Sequence, residues 1–380
     1  MARRTLRALA EWMVGLGMLT EEKAAAVLAG IAEWREDHLD EDLSERDVFG
    51  WLPEFGVAIS VHGEDVDYVE SYYAYLLETQ VTACTGGAVV VTDVVLVRDE
   101  DDEDSAEYLH FLRNGEAVWW HVEHQSDDYV DQAAVSEQIN DLDPGGDDPR
   151  VFYELLREKR EACQDDVYVL ASPKQAMALR DEFGLDFHGL DADWPRLGEP
   201  PTAEPGTVEW YMQDARQSMT EPAKVFLDTW LSDMADALDG WRARFLPEDH
   251  RVDFSLDSLD ALERQVLHRF ADWNAAHSAA DDPFVVGAVR YLGETLIRQA
   301  PGHWDYRDTA DSLYGRVPLV RSNTPAAFRA IVVPLHLLSR LAEDRRFGIL
   351  RESVEELQDA TEEYTTALRT LDSIRRSSAE

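Results

Sequence analysis

Two histidines and a glutamate on one predicted β-hairpin offer the clearest coordination chemistry in this chain. His121, Glu123 and His124 lie close together in a strand-like run, and His110 lies in the run before it. Two imidazoles and a carboxylate can hold Zn²⁺ or Fe²⁺. The spacing is nevertheless unlike His-Glu-x-x-His on a helix, the established ligand pattern. Two interpretations therefore stand: a metal site formed by His110, His121 and Glu123, or histidines that pack and hydrogen-bond. We favour the second, with no cofactor.

The hairpin that carries these residues is predicted from its turn. Asn114-Gly115 separates two β-rich runs, and this pair is typical of a type I′ turn because both central residues need positive φ. A two-residue loop pairs Arg113 with Glu116, Phe111 with Val118 and Leu109 with Trp120. These pairs and Val122 form an apolar face that we expect to be the core of the first domain. The opposite face is our candidate binding face and carries Tyr108, His110, Trp119, His121 and Glu123.

An acidic loop and a strongly negative total charge indicate the class of partner. The formal net charge is −42, from 77 acidic and 35 basic side chains. Such a surface repels nucleic acid and anionic lipid, so we expect neither as a partner. Either the acidity serves solubility, or it attracts a basic protein. In the second case Asp99, Asp101, Asp102 and Asp104 would steer the partner toward the candidate binding face.

Catalytic signatures of the common enzyme classes do not occur in the sequence. It has no glycine-rich phosphate loop, no dinucleotide fingerprint and no Gly-x-Ser-x-Gly elbow. Cys84 and Cys163 are too few for a disulfide framework, so reduced thiols and a cytoplasmic location are expected. Glu11 interrupts the apolar run near the N-terminus, and no window is long enough to span a membrane.

The first half of the chain alternates strand and helix patterns. Residues 4–36 predict a helical hairpin with Thr20 as a cap and Val27, Ile31 and Trp34 on its inner stripe, and residues 37–48 read as an acidic surface connector. The Asp148-Pro149 pair predicts the start of a helix containing Phe152, Leu155 and Leu156. Ser172-Pro173 predicts another helix, ending at Gly184. The fold class is therefore α+β, an antiparallel sheet with packed helices, followed by a mainly helical bundle.

A proline-rich segment divides the chain into two predicted domains. Residues 193–206 hold four prolines and no apolar period, which predicts a linker between an α+β domain at 1–192 and a helical bundle at 207–380. The apolar spacing from Phe226 to Phe245 predicts one long helix, and Gly293 in the helix after Asp282-Pro283 would let a neighbour approach closely. Thr324-Pro325 predicts another helix start, and Pro334 must either kink that helix or end it. Arg290, Glu294 and Arg298 form a surface ladder at helical spacing.

The C-terminal helix predicts either docking or self-association. Leu350, Val354, Leu357, Leu368 and Leu371 recur at nearly heptad spacing. Such a stripe can pack on the bundle, which leaves a monomer, or on a second copy, which gives a homodimer. We favour packing on the bundle because the heptad pattern is short.

The segment Phe284-Val-Val-Gly-Ala-Val-Arg-Tyr-Leu-Gly-Glu-Thr-Leu-Ile-Arg, followed by Trp304-Asp-Tyr, resembles a group of uncharacterised acidic proteins from actinobacteria. The resemblance covers roughly residues 225–345 and implies no catalytic residue. Some proteins of this style resemble immunity proteins, which are acidic cytosolic binders of secreted toxins. From the missing catalytic signatures together with the net charge, we expect an interaction protein rather than an enzyme, an immunity-like or antitoxin-like factor that occludes a basic partner. The alternative is a metal-dependent enzyme using His110, His121 and Glu123.

Overall fold

The computed structural model describes residues 4–63, 66, 68–98, 106–123, 129–156, 165–190, 200–247, 252–308 and 314–378. By its contacts the chain divides into two units, residues 1–193 together with 373–380, and residues 194–372. The sequence predicts domains at 1–192 and 207–380 with a linker at 193–206, and residues 193–199 of this linker lie outside the described residues. The fold class is α+β: antiparallel sheets stand in the N-terminal half, and helices dominate the C-terminal half.

The first unit contains seven α-helices and seven strands within the described residues. The helices are α1 (Leu6–Gly15), α2 (Glu21–Arg35), α3 (Glu45–Glu54), α4 (Val69–Ala74), α5 (Thr82–Thr85), α6 (Gln132–Gln138) and α7 (Pro173–Phe183). The strands are β1 (Ala58–His62), β2 (Val91–Val97), β3 (Glu107–Arg113), β4 (Glu116–Val122), β5 (Val151–Leu156), β6 (Asp165–Ala171) and β7 (Asp186–Phe187). They form two antiparallel sheets, ordered β1-β6-β5-β7 and β2-β3-β4.

The four-stranded sheet lies between two hydrophobic layers. Strand alternation sends Val167 and Val169 into one cluster with helices α1, α3 and α7, and sends Tyr168 and Leu170 into another with the three-stranded sheet. Helix α7 starts and ends as predicted, because Ser172 caps it in a capping box with Gln175 and Gly184 follows it in the left-handed conformation.

Three predictions for the first unit are wrong. Phe152 lies in strand β5 and not in a helix, because Asp148 binds the Arg150 side chain and the segment pairs with β6. The connector predicted at 37–48 contains the start of α3, where Ser44 and Asp47 form a capping box and Val48 is buried. Trp34, placed on an inner stripe, is 88% exposed.

The second unit is a helical bundle with a small sheet. Its described helices are α8 (Val208–Gln217), α9 (Glu221–Ser232), α10 (Met234–Phe245), α11 (Leu256–Arg269), α12 (Trp273–His277), α13 (Pro283–Gln299), α14 (Pro334–Asp344) and α15 (Ile349–Ser378), of which the residues from Ser373 onward group with the first unit. The strands β8 (Gly302–Asp305), β9 (Leu319–Ser322) and β10 (Ile331–Val332) pair in the order β10-β9-β8. Two predictions change here: the long helix is broken at Asp233 into α9 and α10, and Pro334 begins α14 instead of kinking a helix from Thr324.

Helix α13 is the centre of the bundle. Two glycines on α13 each pack against the indole ring of a tryptophan. A Cβ on Gly287 would lie 2.0 Å from Trp241, and a Cβ on Gly293 would lie 2.0 Å from Trp304. The close approach predicted at Gly293 is therefore confirmed. Arg290, predicted on the surface, is buried, and its guanidinium lies 4.0 Å from the Trp230 ring centroid.

Helix α15 begins at a buried carboxylate. Glu263 of α11 accepts hydrogen bonds from the backbone N–H groups of Gly348 (2.9 Å) and Leu350 (2.9 Å). The first turn of a helix has N–H groups without partners inside the helix, and a carboxylate satisfies them while complementing the helix dipole. The apolar residues Leu350, Val354 and Leu357 join the bundle core. No helix among the described residues has the length and apolar character to cross a membrane.

Candidate functional site

The predicted hairpin forms with the predicted register. Asn114 and Gly115 both have positive φ, and Arg113 pairs with Glu116, Phe111 with Val118 and Leu109 with Trp120. The apolar face therefore reaches the core, where Phe111 and Trp120 meet edge to face with ring centroids 5.1 Å apart. The residues of the candidate binding face share the other side of the sheet.

The candidate binding face is largely buried. Tyr108, His110 and Trp119 have almost no exposed surface, whereas His121 and Glu123 are exposed. Each histidine ring meets an aromatic ring across the strands: Tyr108 and His121 lie 5.5 Å apart, and His110 and Trp119 lie 4.8 Å apart. The buried rings are thus packed in the sheet and do not present contact area to a partner.

His110 lies beside a strained position of strand β2. Asp93 adopts φ +58° at a bulge, and its Oδ2 lies 4.0 Å from His110 Nδ1. Arg375, which groups with this unit, donates a hydrogen bond to the same carboxylate. Burial, followed by the charge of Arg375, lowers the pKa of His110, so its ring is neutral at pH 7.

Metal coordination by His110, His121 and Glu123 has no geometric support in the part of the chain that the structure describes. No group of three or more histidine, cysteine, aspartate or glutamate side chains there is arranged as a metal site. The backbone N–H of Glu123 donates a hydrogen bond to Asp131 Oδ2 (2.8 Å). His124 and the loop residues Asp99, Asp101, Asp102 and Asp104 lie outside the described residues.

A row of tyrosines forms an exposed face elsewhere in the first unit. Tyr68, just before α4, is 74% exposed, and Tyr75, just after α4, is 54% exposed. Tyr72 lies between them on the helix. We call these three residues the tyrosine face. The backbone there passes from α4 into a π-helix, Tyr75–Val81, a rare conformation that is frequent at functional sites.

Hydrogen bonds and one acidic residue, Asp165, fix the middle tyrosine of the tyrosine face. The Tyr72 hydroxyl accepts from the His62 N–H (2.6 Å) and donates to Ser60 O (3.3 Å). His62 in turn pairs with Asp165 through Nδ1. Burial raises the pKa of Tyr72, and Asp165 adds to this effect, so the hydroxyl stays protonated at neutral pH. The middle tyrosine is therefore fixed, while the outer two project into solvent.

A second candidate site lies on the small sheet of the second unit. Strand alternation sends Trp304 and Val320 into the bundle core, which leaves His303, Asp305 and Arg321 on the opposite face. His303 and Arg321 are directly paired across β8 and β9. We call the group formed by His303, Asp305, Arg321 and Asn323 the buried polar cluster.

Asp305 is a fully buried carboxylate held by arginines. Arg321 Nε lies 2.6 Å from Asp305 Oδ2, although the two atoms are not aligned as a hydrogen bond, and Arg307 Nη2 lies 3.5 Å from the same oxygen. Burial lowers the pKa of Arg321 to about 10, so the guanidinium remains charged at pH 7. Arg307 also donates to Ser218 Oγ (2.6 Å) at the end of α8.

His303 and Asn323 form the other half of the cluster. His303 Nδ1 lies 2.7 Å from Asn323 Oδ1, and since an amide oxygen only accepts, Nδ1 carries the proton. Burial lowers the pKa of His303, which leaves Nε2 as a neutral acceptor at pH 7. Within the described residues, His303 Nε2 and Asn323 Nδ2 are buried without a hydrogen-bond partner, whereas Arg321 Nε and Asp305 Oδ2 face each other as an ion pair. Buried polar atoms rarely remain unsatisfied, so His303 Nε2 and Asn323 Nδ2 are the atoms of the cluster with unused hydrogen-bonding capacity.

Helix α8 adds an acidic group to the edge of the cluster. Burial raises the pKa of Asp214, and the nearby charges of Arg329 and Arg321 oppose this shift. Gln217 donates to its Oδ1 (2.9 Å) from one turn further along the helix. Arg307 and Arg321 thus lie close to Asp305, and Arg321 and Arg329 lie close enough to Asp214 to act on its pKa.

Sequence reasoning missed the buried polar cluster, and it expected a reduced thiol at Cys84. Burial raises the pKa of the Cys84 thiol to about 12, so it is protonated and unreactive at pH 7. Cys163 lies outside the described residues. The sequence pattern that could have revealed the cluster is the alternation of polar and apolar residues from Gly302 to Asp305. This pattern is also typical of an ordinary strand with one face in solvent, so it does not single out a buried site.

Comparisons of the chain with known protein families, with curated proteins and with solved structures give no match.

Proposed function

We propose that this chain is a protein-binding factor that captures a basic protein partner, with the exposed tyrosines of the first unit as its anchors. The observation that carries the proposal is the exposure of Tyr68 and Tyr75, at the two ends of α4, in a chain with net charge −42. Tyrosine is enriched at interface hot spots because it offers a rigid, amphipathic contact area. In its most specific form, the factor is immunity-like or antitoxin-like and occludes its partner's own basic surface.

The net negative charge of the chain supports a basic protein as the partner. A long-range negative field speeds the approach of a cationic protein and repels nucleic acid and anionic lipid. At the contact itself, an arginine or lysine of the partner can lie over a tyrosine ring and pair with a carboxylate such as Glu70, which is exposed on the same helix. Binding of this kind weakens as salt concentration rises.

The proposal moves the anchors away from the hairpin. Tyr108 and Trp119 are packed in the sheet, so the contact area that we had expected from them has to come from other residues. His121 and Glu123 remain exposed and can lie at the edge of an interface. The acidic loop with Asp99, Asp101, Asp102 and Asp104 keeps its proposed role in steering, because steering depends on charge and not on close contact.

Capture from a lysate of the native host, at low and at high ionic strength, tests the proposal. We expect the wild-type chain to retain a basic protein at low salt, and a variant with Tyr68→Ser and Tyr75→Ser to lose most of it. Trp34→Ser is the matched control, because Trp34 is even more exposed but lies apart on α2. Replacing the four loop aspartates by asparagine should slow association while leaving the dissociation rate nearly unchanged.

Two outcomes would contradict the proposal. Equal retention by the wild type and the double tyrosine variant would mean that the tyrosine face is not the anchor. Polyarginine serves as a probe of charge alone: if it competes fully with the captured protein at equal charge concentration, the acidity acts as a general polyanion without a specific surface.

A further inference from the structure

We propose that His277 and His336 in the second unit form a binding site for a divalent metal ion that prefers imidazole ligands, with Zn²⁺ as the representative. The site lies in a different unit from the hairpin histidines and from the tyrosine face, and it does not depend on the proposed protein-binding function. Three observations support it: the separation of the two rings, the lack of other polar partners for them in the described part of the chain, and the contacts that hold their helices in place.

The two imidazole rings have the separation that one shared metal ion requires. Their centroids lie 5.7 Å apart, and the ring planes are inclined by 43°. A zinc ion binds an imidazole nitrogen at about 2.0 to 2.1 Å, which places the ion roughly 3.2 Å from the ring centroid. Two rings bound to one tetrahedral ion therefore have centroids about 5 to 6 Å apart. The observed separation falls within this range.

The nitrogens of both rings are available to a ligand. Among the described residues, the two imidazoles contact each other and the Trp273 ring, and neither has a hydrogen-bond or ion-pair partner. Trp273 stacks on His277 with the planes inclined by 17°, which covers the face of the imidazole, whereas a metal binds at its edge. Burial, followed by the charge of His277, lowers the pKa of His336, so this ring is also neutral at pH 7.

The surroundings of the two rings favour a cation from solvent. His277 is exposed and His336 is partly buried, so a hydrated ion can approach them from one side. The net charge of −42 attracts cations to the chain as a whole. Arg340, one turn after His336 on α14, pairs with Asp344 Oδ2 at 3.3 Å, so a carboxylate balances the nearest basic residue on that helix.

The helices that carry the two histidines, α12 and α14, are fixed against each other. The backbone N–H of Trp273 at the start of α12 donates to Glu343 Oε2 (2.9 Å) near the end of α14. Arg345, which follows α14, donates to Leu267 O (3.0 Å) and Phe270 O (3.2 Å) at the end of α11, shortly before α12. The surrounding structure therefore sets the positions of the rings before an ion arrives, which lowers the cost of binding.

Two histidines fill only part of the coordination sphere of zinc. Zinc in proteins is usually tetrahedral with four ligands, so two positions remain open at this site. Within the described residues, no group of three or more histidine, cysteine, aspartate or glutamate side chains could supply them. Water molecules or the same two histidines of a second copy of the chain can fill the open positions, and these two cases differ in stoichiometry.

Calorimetric titration of the untagged full chain with zinc chloride, and separately with magnesium chloride, tests the inference. We expect zinc to bind at least about tenfold more tightly, because Mg²⁺ prefers oxygen ligands and Zn²⁺ accepts imidazole. One zinc ion per chain assigns the open positions to water. One zinc ion per two chains, with a zinc-dependent dimer in light scattering, assigns them to a second copy. Both stoichiometries support the inference.

His277→Asn is the decisive variant, because His277 is exposed and its replacement should leave the fold intact. Loss of a residue that only orients a metal ligand costs about 10- to 100-fold in affinity, so loss of the ligand itself should lower zinc affinity at least about tenfold. His336→Asn should have the same effect. The matched control is His268→Asn, which removes an exposed histidine of α11 in the same unit and should leave zinc affinity nearly unchanged.

Four results would overturn the inference. The first is no zinc binding by the wild type at millimolar zinc. The second is equal affinity for zinc and magnesium, which would mean that the acidic surface attracts any divalent cation. The third is unchanged zinc affinity in His277→Asn, which decides alone if His336→Asn fails to fold and would mean that the rings only pack. The fourth is an equal loss in His268→Asn, which would mean that histidines bind zinc without a defined site.

Discussion

Gly293→Ala should destabilise the second unit, although alanine favours a helix more than glycine does. The added Cβ would lie 2.0 Å from Trp304 Cη2 and 2.1 Å from Cζ2. Since carbon atoms in contact prefer about 3.5 to 4.0 Å, the indole would have to retreat by roughly 1.5 Å. The strand holds this indole in place from behind, because Trp304 is buried, pairs with Val320, and donates from Nε1 to Glu294 Oε1 (3.0 Å).

The net effect follows from two opposing contributions. Replacing glycine by alanine inside a helix stabilises by about 0.5 to 1 kcal/mol. Overpacking a filled core costs about 1 to 3 kcal/mol, and the fixed ring places this site toward the upper end. We therefore expect a net loss of about 1 to 2 kcal/mol, which for a unit of this size lowers the thermal midpoint by about 2 to 6 °C.

Gly240→Ala is the matched control, because Gly240 also lies within a helix and a Cβ there meets no atom within 4 Å. It should raise the thermal midpoint slightly by helix propensity alone. The measurement is thermal unfolding of both variants, followed by far-ultraviolet circular dichroism and tryptophan fluorescence. A Gly293→Ala protein as stable as the Gly240→Ala protein would refute the reasoning, since it would mean that Trp304 moves freely.

Three further perturbations have expected outcomes. Glu263→Ala leaves the buried N–H groups of Gly348 and Leu350 without their acceptor and should cost about 2 to 4 kcal/mol in urea unfolding, whereas a loss below about 1 kcal/mol would contradict the cap. Burial raises the pKa of Asp143 to about 7 in the folded chain, so the folded state holds this proton more tightly than the unfolded state and stability falls as pH rises from about 4 to 7. Asp143→Asn should therefore stabilise the first unit at pH 8 and have little effect at pH 4; a pH-independent difference would exclude this titration. Ser172→Ala removes one partner of a capping box and should cost about 1 kcal/mol, and equal unfolding midpoints would show that the cap contributes nothing.

Local signals in the sequence predicted the elements that local chemistry determines. The hairpin register follows from Asn114-Gly115, because only a two-residue turn with positive φ at both positions fits between the two runs. Helix α7 follows from its cap at Ser172 and its terminating Gly184. In each case the deciding interaction lies within a few residues of the element.

Predictions failed where distant contacts decide the structure. Asp148-Pro149 resembles a helix start, but Asp148 uses its carboxylate on Arg150, and pairing with β6 draws Phe152 into a strand. The apolar stripe of α9 and α10 continues across the break at Asp233, so spacing alone joined two helices into one.

The same contrast between local signals and distant contacts applies to the two candidate sites. Strand alternation correctly assigned Tyr108, His110 and Trp119 to one face, but alternation cannot tell whether that face meets solvent or is covered. The buried polar cluster draws its residues from two strands and the segment after them, and helix α8 supplies further groups from nearly ninety positions earlier in the chain. Nothing local in the sequence links residues so far apart, so only the folded chain brings them together.

The cap of α15 by Glu263 has a consequence for the order in which the second unit assembles during synthesis. The acceptor on α11 is made 85 residues before Gly348, so it leaves the ribosome well before its donors. An unpaired carboxylate is costly to bury, and the side chain has no exposed surface in the finished fold. The bundle should therefore stay open at this face of α11 until α15 arrives. In a nascent chain that stops short of residue 348, we expect this face of the bundle to remain open. Such a chain should be a substrate for chaperones and proteases.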